Sequence, residues 1–406
     1  MKSENKFFAH HVGGRAASVE FPYLPKFNEE IVNVIYDADE SCILQIKNYY
    51  KGNGRNALVL PFCLLDKCGT SPFIIKHDPY TSSIFPLNKL YGNYYNYLNK
   101  KSNWFNFETD YLLSGVIKAE KVINVNTYNL DYLVEKNLVP IPDFLSLDTE
   151  GSELLILEGA TQCLKNNIVA VKAEIHLAPA LDGAPLFGRL DEFLRKHDFL
   201  LASLETFGAG YKRIGKNCRG ASIPLFGEAL YILKPECVNT LDTLKCSKQL
   251  EKLAFAALAF GYTEIAFDAV ERLLMVARGA LNEGKICKFL LEYYSEVKKN
   301  TDMPPLWHET ISFEKSNSRF IVYEERKEKS SLKWNILLLK EQPLKYFPIL
   351  IRKVFSKMFQ IFKKIFLRIP VKINFSPRLS PFDSFLIRNG FDLAVSKIHD
   401  RRSAKS

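Results

Sequence analysis

No Cys-x-x-Cys pair occurs in this chain, although eight cysteines are scattered through its 406 residues. Their positions, 42, 63, 68, 163, 218, 237, 246 and 287, give neither a zinc-ligand spacing nor the dense framework of a small disulfide-stapled fold. The expected state is free thiols in a reducing compartment. Also missing is any uninterrupted apolar run of about 18 residues, the length a membrane-spanning helix needs. The opening MKSENKFFAHH lacks the apolar stretch of a secretory signal. These absences predict a protein made and kept in the cytosol.

The compositional bias of a disordered chain is absent as well, because 47% of residues are hydrophobic and 25% charged, which is ordinary for a globular protein. What is unusual is where the charge lies. Residues 301–406 carry 21 Lys and Arg against 10 Asp and Glu, while residues 1–300 carry 34 against 35. The net +10 of the whole chain therefore belongs to its C-terminal part, where phospholipid, a polyanionic substrate or nucleic acid would be met.

Along residues 1–236, short apolar runs alternate with helical spacing, the pattern of an α/β, doubly wound sheet. Strands are predicted at 7–12, 31–36, 57–62, 73–75, 122–125, 144–147, 168–175, 199–204 and 229–233, with helices at 41–50, 130–136 and 190–196. The first strand closes on Gly13 and Gly14, which permit a tight turn and close approach of a ligand. The second ends in VIYDAD, so Asp37 lies roughly 20 positions after the glycine turn. A carboxylate there suits two ribose hydroxyls; a loop-capping aspartate is the other reading.

The stretch DFLSLDTEGSELLILEGA, residues 143–160, reads as a buried strand that ends, turns and feeds a helix. Asp148 and Glu150 fall where such a strand ends, and in open α/β sheets that is where ligands bind. They serve either as acids of a site or as acceptors for backbone N–H groups at the turn. Residues 80–115, rich in Tyr, Asn, Trp and Phe without a period, form either a lid over the site or a packed surface excursion.

After residue 236 the pattern changes. Residues 246–298 are rich in Ala and Leu at helical spacing with breaks at Gly261 and Gly284, which predicts a helical hairpin or bundle over 237–300. An irregular linker is expected over 301–342. Residues 343–369 place Ile, Val, Phe and Met on one helical face and Lys and Arg mostly on the other, with no acid from 346 to 368. That segment suits an anionic membrane surface, a partner, or simple core packing. A basic tail, 370–406, follows.

The run VINVNTYNLDYLVEKNLVPIPDFLSLDTEGSELLILEGATQCLKNNIVAVKAEIH resembles the core of the FkbM-type methyltransferases. The residues that carry the likeness are Asp148, Glu150, Gly151, Glu153, Leu157, Gly159 and Ala160, followed by the strand bearing Glu174; a looser likeness spans about residues 7–235. The resemblance implies a Rossmann-like class I methyltransferase sheet, S-adenosylmethionine as cofactor, and methyl transfer to a hydroxyl of a sugar, glycan or related small molecule. It implies cofactor contacts at Gly13, Gly14 and Asp37, and near the adenine at Leu65 and Asp66. The first glycine turn departs from the family pattern, with His11 in place of an aspartate and Ala17 in place of the last glycine.

For catalysis, Asp148 is expected to orient or deprotonate the acceptor hydroxyl, with His176 as a rival base and Glu150 assisting. Glu153 is expected to cap or brace the following helix. A divalent metal on Asp148 and Glu150 is not favoured, because two carboxylates are few for a full oxygen shell, and no metal ligand is assigned. A non-catalytic scaffold with a degenerate methyltransferase fold is the competing reading. A nucleic-acid partner is disfavoured, because the C-terminal basic residues share a helix with aliphatic bulk rather than alternating with stacking aromatics.

Overall fold

A computed structural model of the chain describes residues 6–13, 21–97, 110–211, 221–238, 242–277, 281, 284–299 and 381–392. The expected glycine turn beyond Gly13 falls outside these residues, and so do the linker and the basic amphipathic segment, 301–380.

The central element is a seven-stranded sheet. Its strands are β1 (Phe7–Val12), β2 (Ile31–Tyr36), β3 (Ala57–Leu60), β9 (Phe144–Leu147), β10 (Ala170–His176), β11 (Phe199–Ala209) and β12 (Ile223–Leu233). Their order is β11-β12-β10-β9-β1-β2-β3. All neighbouring pairs are parallel except those made by β12, which runs antiparallel to β10 and β11. The order reverses on the two sides of β1, which pairs with β2 on one edge and β9 on the other. Such a switch point opens a crevice beyond the carboxyl ends of the strands.

Burial on both faces explains the unbroken apolar runs in the sequence. Along β2, Val34 and Tyr36 join one core, while Ile35 between them joins another with Ile46 and Tyr50 of α1 (Ile43–Gly52). A smaller sheet of β4 (Cys63–Leu64), β8 (Ala119–Tyr128) and β5 (Gly69–Lys76) precedes β9 in the chain. The short pair β6 (Tyr95–Tyr97) and β7 (Asp110–Leu112), with α2 (Leu113–Val116), belongs to the Tyr- and Asn-rich excursion.

Helices α3 (Leu130–Glu135), α4 (Glu153–Glu158), α5 (Thr161–Asn166) and α6 (Phe187–Lys196) connect the later strands. The Ala- and Leu-rich region forms three helices, α7 (Thr243–Ala259), α8 (Thr263–Ala277) and α9 (Lys285–Lys299). Asp242 starts α7 by accepting hydrogen bonds from the N–H groups of Leu244 and Lys245 at 2.9 and 3.2 Å. These helices share the core of the sheet, so the boundary expected near 236 is not a break in packing. Phe255 of α7 lies 5.4 Å from Phe7 of β1 and 5.3 Å from Phe27, centroid to centroid. Apolar helix faces have to be covered, and here the sheet covers them.

Part of the expected basic tail falls among the described residues. Within 370–406, α10 (Pro381–Arg388) docks on the same core, with Leu386 and Phe391 buried. Phe391 stacks on Phe289 of α9 at 4.8 Å. Among the described residues, no helix is long and apolar enough to cross a membrane.

Candidate active site

The ends of β1, β2 and β9 are tied together by backbone hydrogen bonds. Gly13 N donates to Tyr36 O at 3.1 Å, Asp148 N to Val12 O at 3.0 Å, and Asp37 N to Leu60 O at 3.3 Å. Gly13 adopts φ +93°, and a Cβ there would lie 1.8 Å from the carbonyl oxygen of Asp148. Only glycine allows the two strand ends to approach this closely.

A cleft of about 730 Å³, part of it open to solvent, lies over this junction. Gly13, Asp37 and Asp39 line one side, Asp148, Thr149 and Glu150 the other, and Phe62, Cys63, Leu64, Phe73 and Tyr80 supply apolar wall. Asp37 Oδ1 accepts a hydrogen bond from Asp39 N at 2.9 Å, which fixes the carboxylate at the rim.

The turn after β9 is held by Glu153. Its Oε1 accepts from Thr149 N at 2.8 Å and Thr149 Oγ1 at 2.9 Å, and its Oε2 from Gly151 N at 3.0 Å. Glu153 is buried and engaged with the loop, so it braces the turn that carries Asp148 and Glu150. That turn is tightly wound: Glu150 has φ +54° and Gly151 φ +104°. Ser83 donates to the Glu150 carbonyl at 2.6 Å, and a Cβ on Gly151 would meet Phe85 at 3.2 Å. The first part of the aromatic excursion therefore packs directly on the site, and Ser82 and Ile84 line the cleft. Residues 98–109 of that excursion lie outside the described residues.

Beside the cleft is a polar cluster drawn from three elements. Glu174 and His176 stand two positions apart at the end of β10 and share a face. With Glu150, each offers one ligand atom, and all three atoms lie within 4.8 Å of one another. Lys76, at the end of β5, is buried beside them. Burial first, then the charge of Asp148, pushes the Glu150 carboxyl up to about 8. Burial and the neighbouring Glu150 and Asp148 push Glu174 well above the usual carboxylate range. Burial lowers both Lys76 and His176, opposed at Lys76 by Glu150 and Glu174 and at His176 by Glu153.

The residues expected from sequence separate into four groups. Gly13, Asp37, Asp148 and Glu150 converge on the cleft. His176 is brought next to Glu150 but is only 5% exposed and is not a cleft-lining residue. Leu65 and Asp66, expected near the adenine, are not among the residues lining this cleft, whose wall there is Phe62, Cys63 and Leu64. The chain turns at Leu65 onto α4, where its carbonyl and Asp66 Cα press against Gly159. Gly14 lies outside the described residues. His11, at the position of the family's aspartate, is buried and bonded through Nδ1 to Ser146 Oγ at 3.0 Å.

Sequence reasoning assigned no role to Lys76 and left Glu174 out of the site. Glu174 was detectable, because the spacing Glu174-x-His176 places both side chains on one face of a strand end. Nothing local marks Lys76, which reaches Glu150 only through the tertiary placement of the small sheet.

An open, mostly parallel seven-stranded sheet with a carboxylate-edged cleft at its switch point is consistent with a Rossmann-like methyltransferase fold. Residues 26–201 match the model of the methyltransferase FkbM domain. The match covers Asp37, Asp148, Glu150, Glu174 and His176 and begins after Gly13. It supports a methyltransferase activity in general. No curated protein and no solved structure matches the chain.

Proposed function

We propose that the protein is an S-adenosylmethionine-dependent O-methyltransferase acting on a hydroxyl of a sugar, glycan or related small molecule. The observation that carries this reading is that Asp37 and Asp148 open on one cleft at the switch point, from strands on opposite sides of β1. The residues fit the cofactor. Gly13 gives backbone access, Asp37 offers a carboxylate for ribose hydroxyls, and Phe62 and Leu64 offer apolar wall for an adenine.

When bound, S-adenosylmethionine supplies an electrophilic methyl group on a cationic sulfonium. The carboxylates of Asp148 and Glu150 favour positive charge in the cleft. Asp148 is placed to accept the proton of an acceptor hydroxyl, and Glu153 holds its turn in register. Tyr80 and Phe73 present ring surface on which the apolar face of a sugar packs.

Calorimetry with S-adenosylmethionine tests the reading. Wild type is expected to bind, and Asp37→Ala to bind at least about tenfold more weakly, a difference of about 1.4 kcal/mol. Asp148→Asn is expected to keep cofactor affinity and to lose methyl transfer to a panel of hydroxylated glycans by about 10²–10⁴-fold. No heat with the wild type would sink the cofactor assignment, and unchanged transfer by Asp148→Asn would remove that residue from its role.

A further inference from the structure

We propose that Glu150, Glu174 and His176 form a site for one divalent cation, set against the cleft and sharing Glu150 with its wall. The three side chains come from the turn after β9 and the end of β10, and their ligand atoms lie within 4.8 Å of one another.

Two independent observations point to a ligand there. First, buried polar atoms converge on this point without partners: Glu174 Oε2, both ring nitrogens of His176 and Lys76 Nζ make no hydrogen bond. His176 is 5% exposed and Lys76 2%, so water at the surface does not satisfy them. Orphaned buried groups of this kind are costly, at about 1–3 kcal/mol each, and their clustering calls for an occupant. Second, the spacing is that of ligands rather than of a hydrogen bond. His176 Nε2 and Glu174 Oε2 are 3.9 Å apart. That is too far for a hydrogen bond, whereas two ligands each about 2.0–2.2 Å from a shared ion sit roughly 3–4 Å apart.

The charge balance agrees. Asp78, Asp148, Glu153 and Glu174 all act on Glu150 or on one another here, and Lys76 is the cation that faces Glu150 and Glu174. Among the described residues, five carboxyl groups gather here around one ammonium, which makes no hydrogen bond to either of the two it faces. Two carboxylate oxygens and an imidazole suit a first-row divalent ion such as Mn²⁺, with Mg²⁺ as the harder alternative.

The position also gives the ion a use, which rests on the methyltransferase reading above. Because Glu150 belongs to both the cluster and the cleft wall, open coordination positions would face the acceptor beside Asp148. A hydroxyl bound there is acidified, so its proton passes more readily to Asp148. An acceptor with two neighbouring hydroxyls would fit such a site best.

The test is a titration of the full-length protein with Mn²⁺, read by electron paramagnetic resonance of the free ion and by calorimetry. S-adenosylmethionine binding is measured on the same samples. The expected result is one Mn²⁺ per chain, bound at least tenfold more weakly by Glu174→Gln and by His176→Asn, with cofactor affinity kept within twofold. Lys76→Met, which removes the competing cation, is expected to bind Mn²⁺ more tightly than wild type. Circular dichroism confirms that each variant is folded, and the two ligand variants are read independently of each other. No stoichiometric Mn²⁺ in a wild type that binds S-adenosylmethionine would overturn the metal site and leave the methyltransferase reading standing. Binding that neither ligand variant weakens would overturn it equally.

Discussion

Asp143 and Glu150 flank β9 at its two ends, and the fold treats the two carboxylates differently. Asp143 accepts a hydrogen bond from Phe8 N at 2.7 Å and pairs with Lys252 Nζ of α7 at 2.5 Å. Burial pushes its carboxyl up, and Lys252 and the Phe8 amide pull it back. At the other end, Glu150 meets Glu174 and His176 across a gap that no hydrogen bond closes. The amino end is a finished structural joint that docks a helix on the sheet. The carboxyl end holds its polar groups in readiness for something not made of this chain, and stability is given up where ligands bind.

The largest effect expected from this contrast is at the finished end. Asp143→Ala leaves Lys252 buried against the sheet without its carboxylate, and breaking a buried pair on one side costs about 3–5 kcal/mol. Urea denaturation should show that loss, while S-adenosylmethionine affinity of the folded protein stays as in wild type. A loss below about 1 kcal/mol would mean that the joint is not structural and that the comparison fails.

The pH dependence of stability sharpens the contrast next. His10, buried in β1 and bonded through Nδ1 to the Tyr36 hydroxyl at 2.8 Å, is lowered by burial to about 3. Between about 6.5 and 3 the unfolded chain takes up a proton there and the folded chain does not, so stability falls as pH falls. Glu150 works in the opposite sense. With its folded value near 8 against 4.5, the folded state keeps a proton that the unfolded state has released, so stability falls as pH rises through that window. Where the windows overlap, from about 4.5 to 6.5, the two slopes cancel. Glu174 and Asp143, also raised by burial, add to the alkaline slope, and His176, also lowered by burial, adds to the acid one, so denaturation without added metal should show stability falling toward both acid and alkaline pH, with about 2 kcal/mol on each side from His10 and Glu150. Glu150→Gln should flatten the alkaline limb alone.

Much of the sheet was legible because strands buried on both faces leave continuous apolar runs. The runs at 7–12, 31–36 and 144–147 coincide with β1, β2 and β9. The carboxylates at 37, 148 and 150 were legible for a related reason, since a charge that ends such a run marks a strand end. What escaped was tertiary. The docking of α7 through Phe255, the return of α10 through Phe391, and the approach of Lys76 to Glu150 join segments far apart in the chain. No local period records such pairings. Leu65 and Asp66 follow the cleft wall of Phe62, Cys63 and Leu64, in a turn whose place depends on how closely Gly159 lets it approach.

The smallest expected effect is also the most discriminating. Glu174→Gln replaces a carboxyl whose Oε2 makes no hydrogen bond, and which burial and the neighbouring Glu150 and Asp148 hold toward its protonated form, by a neutral amide of the same shape. Without metal, exchanging one neutral group for another takes away little attraction, so stability near neutral pH should change by no more than about 1 kcal/mol. The same substitution weakens Mn²⁺ binding, so saturating metal should raise the melting temperature of wild type and not that of the variant, because an ion that binds only the folded state stabilises it by mass action. A loss of about 3 kcal/mol or more without metal would place Glu174 in a buried ion pair with Lys76. Both ends of β9 would then be structural joints, and the difference between them would lie in Asp148 alone.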